Sequence, residues 1–385
     1  MSSLALQPDV LRWARERAGF AVREYAEKAK LKPEKVLQWE QTGELTFAQM
    51  EALAHHTHTP IGYLFLKKPV KEKLSIPDFR TVGDHAVGEP SPDLLDTLQA
   101  MQRRQDWMRN ELIEQGQGPL PFIGQFSLKD KPEDVAADMR KRLGLQNNWA
   151  KEIGTWQSAL LELRRRVQGQ GILIVLNGVV GNNGHRKLDP EEFRGFALSD
   201  GYAPLVFINA SDAKSAQIFT LAHELAHLWL GLDAVSGIEA TLPANSRSEK
   251  FCNKVAAEFL IPARDFPLAW KNAELATDRY GQLAKQFKVS PIVVARRALD
   301  LGYITTDHFR EFYRNYIKIE FRVKREKKSK GDFFATQHVR VGERFGRAVV
   351  TAAKEGRLLY RDAFQLVGFG GATFDKFANE LGVGD

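Results

Sequence analysis

A chain of 385 residues is too long for one small core, so two or three domains are expected. Its apolar content and mixed charge are those of an ordinary globular protein, and a net charge of +7 favours an acidic partner such as nucleic acid without ribosomal-type excess. The lone cysteine, Cys252, excludes an intrachain disulfide framework and fits a reducing cytoplasm, and no run approaches the roughly 18 apolar residues of a membrane span.

The opening MSSLALQPDVLRWARERAG lacks a continuous apolar core and is not expected to be a signal peptide. From about residue 9 to 66 the periodicity predicts short amphipathic helices. The first ends near Gly19, a second covers VREYAEKAK, and a third covers PEKVLQWEQTG, with Pro33 in its first turn and Gly43 as its stop. A fourth, TFAQMEALAHHTHTP, opens on Thr46 and halts at Pro60. This makes a compact all-α module, residues 1–68. Residues 69–155 read as linker and helical connector: a Pro, Gly and Lys-rich stretch to about residue 90, a long helix capped by Ser91, and a further helix in FSLKDKPEDVAADMRKRLGL.

After the helix TWQSALLELRRRVQGQ the pattern changes to short β-branched runs. GILIVLNGVV, FRGFALSD and APLVFINA read as strands. Helices follow in FTLAHELAHLWLG, SRSEKFCNKVAAEFLIP and the pair YGQLAKQFKVSPIVVARRALDLGYI, closing a segment at 156–312. Arg296 and Arg297 are read as a solvated face. The extension 313–385 holds a basic run, Arg322 to Lys330, read as an exposed loop, and two helices, VRVGERFGRAVVTAAKEG and YRDAFQLVG. The fold class is therefore α+β and mostly helical, with a small sheet.

His223 and His227 stand four apart, which puts both rings on one helix face. Neutral imidazoles suit Zn2+, and Glu224 beside them is placed to take a proton from a metal-bound water, the mechanics of H-E-x-x-H on a helix. Ala222, Leu225, Ala226, Leu228, Trp229 and Leu230 leave that helix little solvent-facing surface. A buried glutamate with two histidines is costly without a ligand, which weighs against incidental polar positions. Glu249 is the candidate third ligand and Asn253, four residues on, the residue that orients a ligating ring. Glu258 falls on an adjacent face and reads as structural, and Cys252 reads as a small buried residue. His185, Tyr202 and Tyr280 are the candidates for stabilising an oxyanion.

FTLAHELAHLWLG followed by SEKFCNKVAAEFLIP resembles the ImmA/IrrE zinc metallopeptidases, with FRGFALSDGYAPLVFINA resembling the strands before their metal helix. The resemblance covers about residues 160–310 and implies a zincin-like core with His223, His227 and Glu249 as zinc ligands and Glu224 as base. Cys252 and Val255 depart from residues common there. The N-terminal module resembles the XRE helix-turn-helix family, with Trp39 and Glu40 matching its W-E signature and Trp39 read as core. That resemblance implies that Lys32, Glu34, Lys35 and Gln38 face bases or phosphates of operator DNA. Ala21 and Val22 replace a frequent Ser-Gln, Lys30 replaces a frequent turn glycine, and Glu24, Glu27 and Glu34 dilute the positive surface.

Together these imply a cytoplasmic zinc endopeptidase and DNA-binding regulator with no membrane association, acting as a homodimer on one regulatory protein or within a toxin-antitoxin or mobile-element module. The second reading is a non-proteolytic, antitoxin-like transcriptional regulator that neutralises a neighbouring toxin, such as a PIN-domain ribonuclease.

Overall fold

The computed structural model describes residues 3–70, 90–146, 148–236, 247–323 and 333–383. The chain divides into two compact units, one built mainly from residues up to Gln99 and the other mainly from Ala100 onward. Most of the linker read at 67–90, and all but the first two residues of the basic run Arg322 to Lys330, lie outside the described residues.

In the first unit a short strand β1 (Ser3–Ala5) pairs antiparallel with β2 (Glu44–Thr46). Around them stand α1 (Pro8–Arg17), α2 (Val22–Ala29), α3 (Pro33–Thr42) and α4 (Phe47–Thr57), followed by a 3-10 turn at Ile61–Phe65. Pro33 sits in the first turn of α3 and Gly43 ends it in the left-handed region, where a Cβ would fall 2.0 Å from the Leu6 carbonyl oxygen. Thr46 caps α4 in a capping box with Gln49. The core gathers Val10, Leu11, Tyr25, Trp39, Met50 and Leu64. Lys30 ends α2 at φ 55°, in the left-handed position where a glycine is frequent.

The second unit is a mostly helical α+β fold. The long α5 (Pro92–Glu114), within which the division between units falls, is capped by Ser91 Oγ, which accepts from Leu94 N at 3.1 Å. Then come α6 (Pro132–Arg142) and α7 (Trp156–Gly169). Strands β3 (Leu173–Asn177), β6 (Gly195–Leu198), β7 (Leu205–Asn209) and β8 (Ala234–Ser236) form one mixed sheet in the order β3-β7-β6-β8. β3 runs parallel to β7 with Leu173 opposite Leu205, and β6 is antiparallel to β7 and β8 with Gly195 opposite Ile208 and Ser236. Between β3 and β6, β4 (Val179–Val180) and β5 (Asn183–Lys187) make a separate small hairpin.

Against the sheet lies α8 (Lys214–Leu230), with every residue from Gln217 to Leu230 buried. It is enclosed by α6, α7 and α9 (Arg247–Leu260). The core around it draws in Phe122, Val135, Met139 and Leu143, residues that the sequence reading assigned to the connector. The chain at Gly124 and Phe126 donates backbone N–H groups to the carbonyls of Leu228 and Trp229, both at 3.0 Å, satisfying the end of α8. Then follow α10 (Phe266–Asn272), α11 (Arg279–Phe287), α12 (Pro291–Asp300) and α13 (Thr306–Val323).

The last four helices are α14 (Phe333–Val341), α15 (Glu343–Lys354), α16 (Tyr360–Val367) and α17 (Ala372–Glu380). The segment 339–356, read as one helix, is broken at Gly342. Its φ of +85° turns the chain, and a Cβ there would fall 2.7 Å from the Ile174 carbonyl oxygen of β3. Buried Arg104 of α5 donates to the carbonyls of Arg340, Leu366 and Val367, at 2.9, 2.9 and 3.4 Å. Burial pushes its pKa down to about 10.

Candidate metal centre

The apolar run that forms α8 leaves its polar residues nowhere to go but inward. His223 is 3% exposed, and Glu224 and His227 are 0% exposed. One helical turn sets the two rings edge to face with centroids 4.8 Å apart and their Nε2 atoms 3.0 Å apart. Helix α9 packs across α8 and brings Glu249, 7% exposed, onto both. Its Oε2 is 3.1 Å from His223 Nε2 and its Oε1 is 3.1 Å from His227 Nε2.

Among the described residues, these three form the one cluster of histidine, cysteine, aspartate or glutamate close enough to share a metal ion. Zinc bound at about 2.0–2.1 Å to three tetrahedral donors needs them about 3.3 Å apart. The observed triangle of 3.0, 3.1 and 3.1 Å requires only slight spreading. Two imidazoles and a carboxylate are also a chemically suitable donor set for Zn2+. Neither ring's Nδ1 has a hydrogen-bond partner, although both are buried. The residues therefore fit a zinc ion.

The electrostatics point the same way. Burial disfavours a charged His223, but Glu249, then Glu224 and Asn253, outweigh it, and its pKa lies above the ordinary histidine value. Burial likewise opposes ionisation of Glu249, yet the two imidazoles hold its carboxyl well below the usual carboxylate range. Both shifts favour positive charge at the centre of the cluster.

Glu224 stands beside the triangle and beside the sheet. A Cβ on Gly195 of β6 would lie 2.6 Å from Thr220 Cγ2 and 3.4 Å from Glu224 Oε1. Only a glycine lets α8 approach the strand this closely, and the carboxylate lies in the space it leaves. Asn253 is near enough to His223 to favour its charged form, though its Oδ1 completes no hydrogen bond. Glu258 accepts from Ala263 N and pairs with buried Arg297, which also donates to the Ile261 carbonyl at 3.0 Å. Arg297 is therefore no solvated residue: it finishes the end of α9, while Arg296 pairs with Asp300 at 3.0 Å. Cys252 lies in the apolar core, outside the donor set.

The three oxyanion candidates are elsewhere. His185 is exposed on β5, Tyr202 lies in the turn between β6 and β7, and Tyr280 packs on Trp270 and Phe312. None hydrogen-bonds to the cluster. In the first unit Lys32, Glu34 and Gln38 are exposed and Lys35 is half-buried at the start of α3, with Lys35 Nζ donating to Gln38 Oε1 at 3.1 Å. Trp39 is buried, and Glu40 beside it accepts two hydrogen bonds from buried Arg15. Gly195 and the Arg15–Glu40 pair escaped the sequence reading. Only a glycine entering a strand and a tryptophan-flanked glutamate hinted at them.

Comparison with known families places this site in context. Residues 167–299, which contain the whole cluster, match the peptidase family model described as the IrrE N-terminal-like domain, a family of metallopeptidases. Residues 341–380 match a model described as a domain of unknown function (DUF8813). No curated protein matches the chain. Among the described residues no helix is long and apolar enough to cross a membrane.

Proposed function

We propose that this protein is a zinc-dependent endopeptidase of narrow specificity that acts on a regulatory protein, with a DNA-binding module in the same chain. The observation that carries the reading is the buried triangle of His223, His227 and Glu249 with Glu224 beside it. A structural metal site has no use for a buried glutamate next to its ligands, whereas hydrolysis needs a base there. Zinc, when bound, supplies Lewis acidity that polarises a carbonyl and lowers the pKa of water. Glu224 accepts the proton of the attacking water and delivers it to the departing amine. Glu249 anchors the two histidines from a second helix, and Asn253, one turn further along it and close to His223, is the residue assigned to orient a ligating ring. The exposed start of α3, with Lys32, Glu34, Lys35 and Gln38, is the surface offered to operator DNA, and the XRE resemblance supports that role.

Elemental analysis tests the reading on wild type, His223→Ala, Glu249→Ala and Glu224→Gln. About one zinc per chain in the wild type and in Glu224→Gln, lost in the other two, is the expected result. Co-expression with proteins encoded beside it should then yield a cleavage product that Glu224→Gln abolishes. A wild type that takes up no zinc sinks the peptidase reading. Toxin neutralisation that survives Glu224→Gln would favour the antitoxin-like regulator instead.

A further inference from the structure

A second concave site lies away from the metal centre. Helices α5, α7 and α15 enclose a cleft of about 490 Å³, a volume in the range of small-molecule sites. None of its lining comes from α8 or α9. Met108 and Leu112 of α5 and Ala348 of α15 give it an apolar side. Four arginines line it, Arg165, Arg344, Arg347 and Arg357, against one lining carboxylate, Glu343.

Three of these arginines already have partners. Arg165 pairs with Glu162 at 3.0 Å, Arg347 with Glu343 at 3.2 Å, and Arg357 with Glu111 and Glu355. Arg344 is different: among the described residues it has no hydrogen bond and no carboxylate within ion-pair distance, and its Nε is buried. Burial lowers its pKa with nothing to offset it. Gln168 of α7, also lining the cleft, has a buried amide nitrogen without an acceptor. Arg164, one turn before Gln168, is half-buried with a buried Nε that lacks a hydrogen-bond partner, and its electrostatic partner Glu343 is already shared with Arg347. The lining of the cleft thus holds two donors, Arg344 Nε and Gln168 Nε2, that the described residues leave without acceptors.

We propose that this cleft binds a small phosphate ester with an apolar body, of the nucleoside monophosphate type. The guanidinium of Arg344 and the amide of Gln168 receive the phosphate oxygens, and the side formed by Met108, Leu112 and Ala348 receives the apolar part. A forked guanidinium matches phosphate geometry, and the volume suits one small molecule better than a polymer. The site does not depend on the peptidase reading, since none of its lining residues belongs to the metal-site helices α8 and α9.

The test is isothermal titration of the full-length protein with AMP, GMP, CMP and UMP, and with adenosine, inorganic phosphate, citrate and a short single-stranded DNA. At least one monophosphate should bind one per chain at submillimolar Kd, with adenosine, phosphate and citrate weaker by about tenfold or more. Arg344→Gln should weaken that monophosphate by about tenfold or more while leaving zinc content and the melting temperature of the unliganded protein unchanged or the latter raised. Gln168→Leu should weaken it less. The proposal is overturned if no monophosphate saturates, if citrate, adenosine or the DNA binds as well as the best monophosphate, or if Arg344→Gln binds like wild type.

Discussion

Arg15 and Glu40 in the first unit, and His223, His227 and Glu249 in the second, are clusters of titratable side chains almost wholly removed from water. They are closed in opposite ways. Arg15 Nε and Nη2 donate to the two Glu40 oxygens at 2.6 and 3.0 Å, and Nη1 donates to the Phe20 carbonyl at 2.6 Å. Each charge meets its complement, the Arg15 pKa rises through its bond to Glu40, and nothing further is required. The second cluster crowds two imidazole nitrogens and a carboxylate around one point, and a single proton cannot serve all three contacts. A buried polar cluster that closes on itself holds a fold together. One whose donors converge on a common point has the geometry of a ligand site.

The sharpest break of this contrast is Glu249→Ala. It should reduce bound zinc from about one per chain to near none, and a chelator that lowers the wild-type melting temperature should leave the variant unmoved. Next comes Glu40→Ala, which strands the Arg15 guanidinium. Urea denaturation should show a loss of about 3–5 kcal/mol from the first unit with zinc content intact. A cost near zero would mean the pair is ornamental and the contrast false. Gly195→Ala should cost about 1–3 kcal/mol, because its Cβ meets Thr220 and the Phe207 carbonyl, and the variant should displace Glu224 while retaining zinc. Loss of zinc as well would tie the strand to the ligands themselves.

The smallest effect concerns Tyr25, a buried phenol in the first unit whose hydroxyl has no partner. Here an unmet polar atom stands alone, so no ligand is expected. Burial pushes its pKa from 10.0 up to about 12, so the folded state holds the neutral form. Its contribution is complete below pH 10.0 and is lost as pH rises toward about 12. Tyr25→Phe should raise stability by about 1 kcal/mol at pH 7, because it removes a buried hydroxyl with no partner, and should remove this residue's share of alkaline unfolding, as chemical denaturation across that range would show.

The helix that carries His223, Glu224 and His227 was legible because its evidence is local: a four-residue histidine spacing inside an apolar run. Glu249 was legible for a related reason, its own four-residue spacing to Asn253, strengthened by resemblance. The strands that became β3 and β7 showed their β-branched runs between Gly, Pro and Asn, and β6 was read from its place between them. What stayed hidden depends on distant partners. β5 is NGHRK, which carries no apolar alternation, and β8 has only three residues. The helix α13 was not anticipated. The break at Gly342 is set by the Ile174 carbonyl of β3, far away in the chain, and the burial of Arg297 by Glu258 and the end of α9. Gly195 acquires its meaning only from the crossing of α8 over β6.

Arg104 joins the ends of α14 and α16 to the middle of α5, more than two hundred positions earlier in the chain. Cut away the last helices and that guanidinium faces a cavity with three acceptors gone. The region matched by its own family model is therefore no detachable cassette. To keep those three acceptors filled, a graft of this region onto another protein would have to carry α5 along.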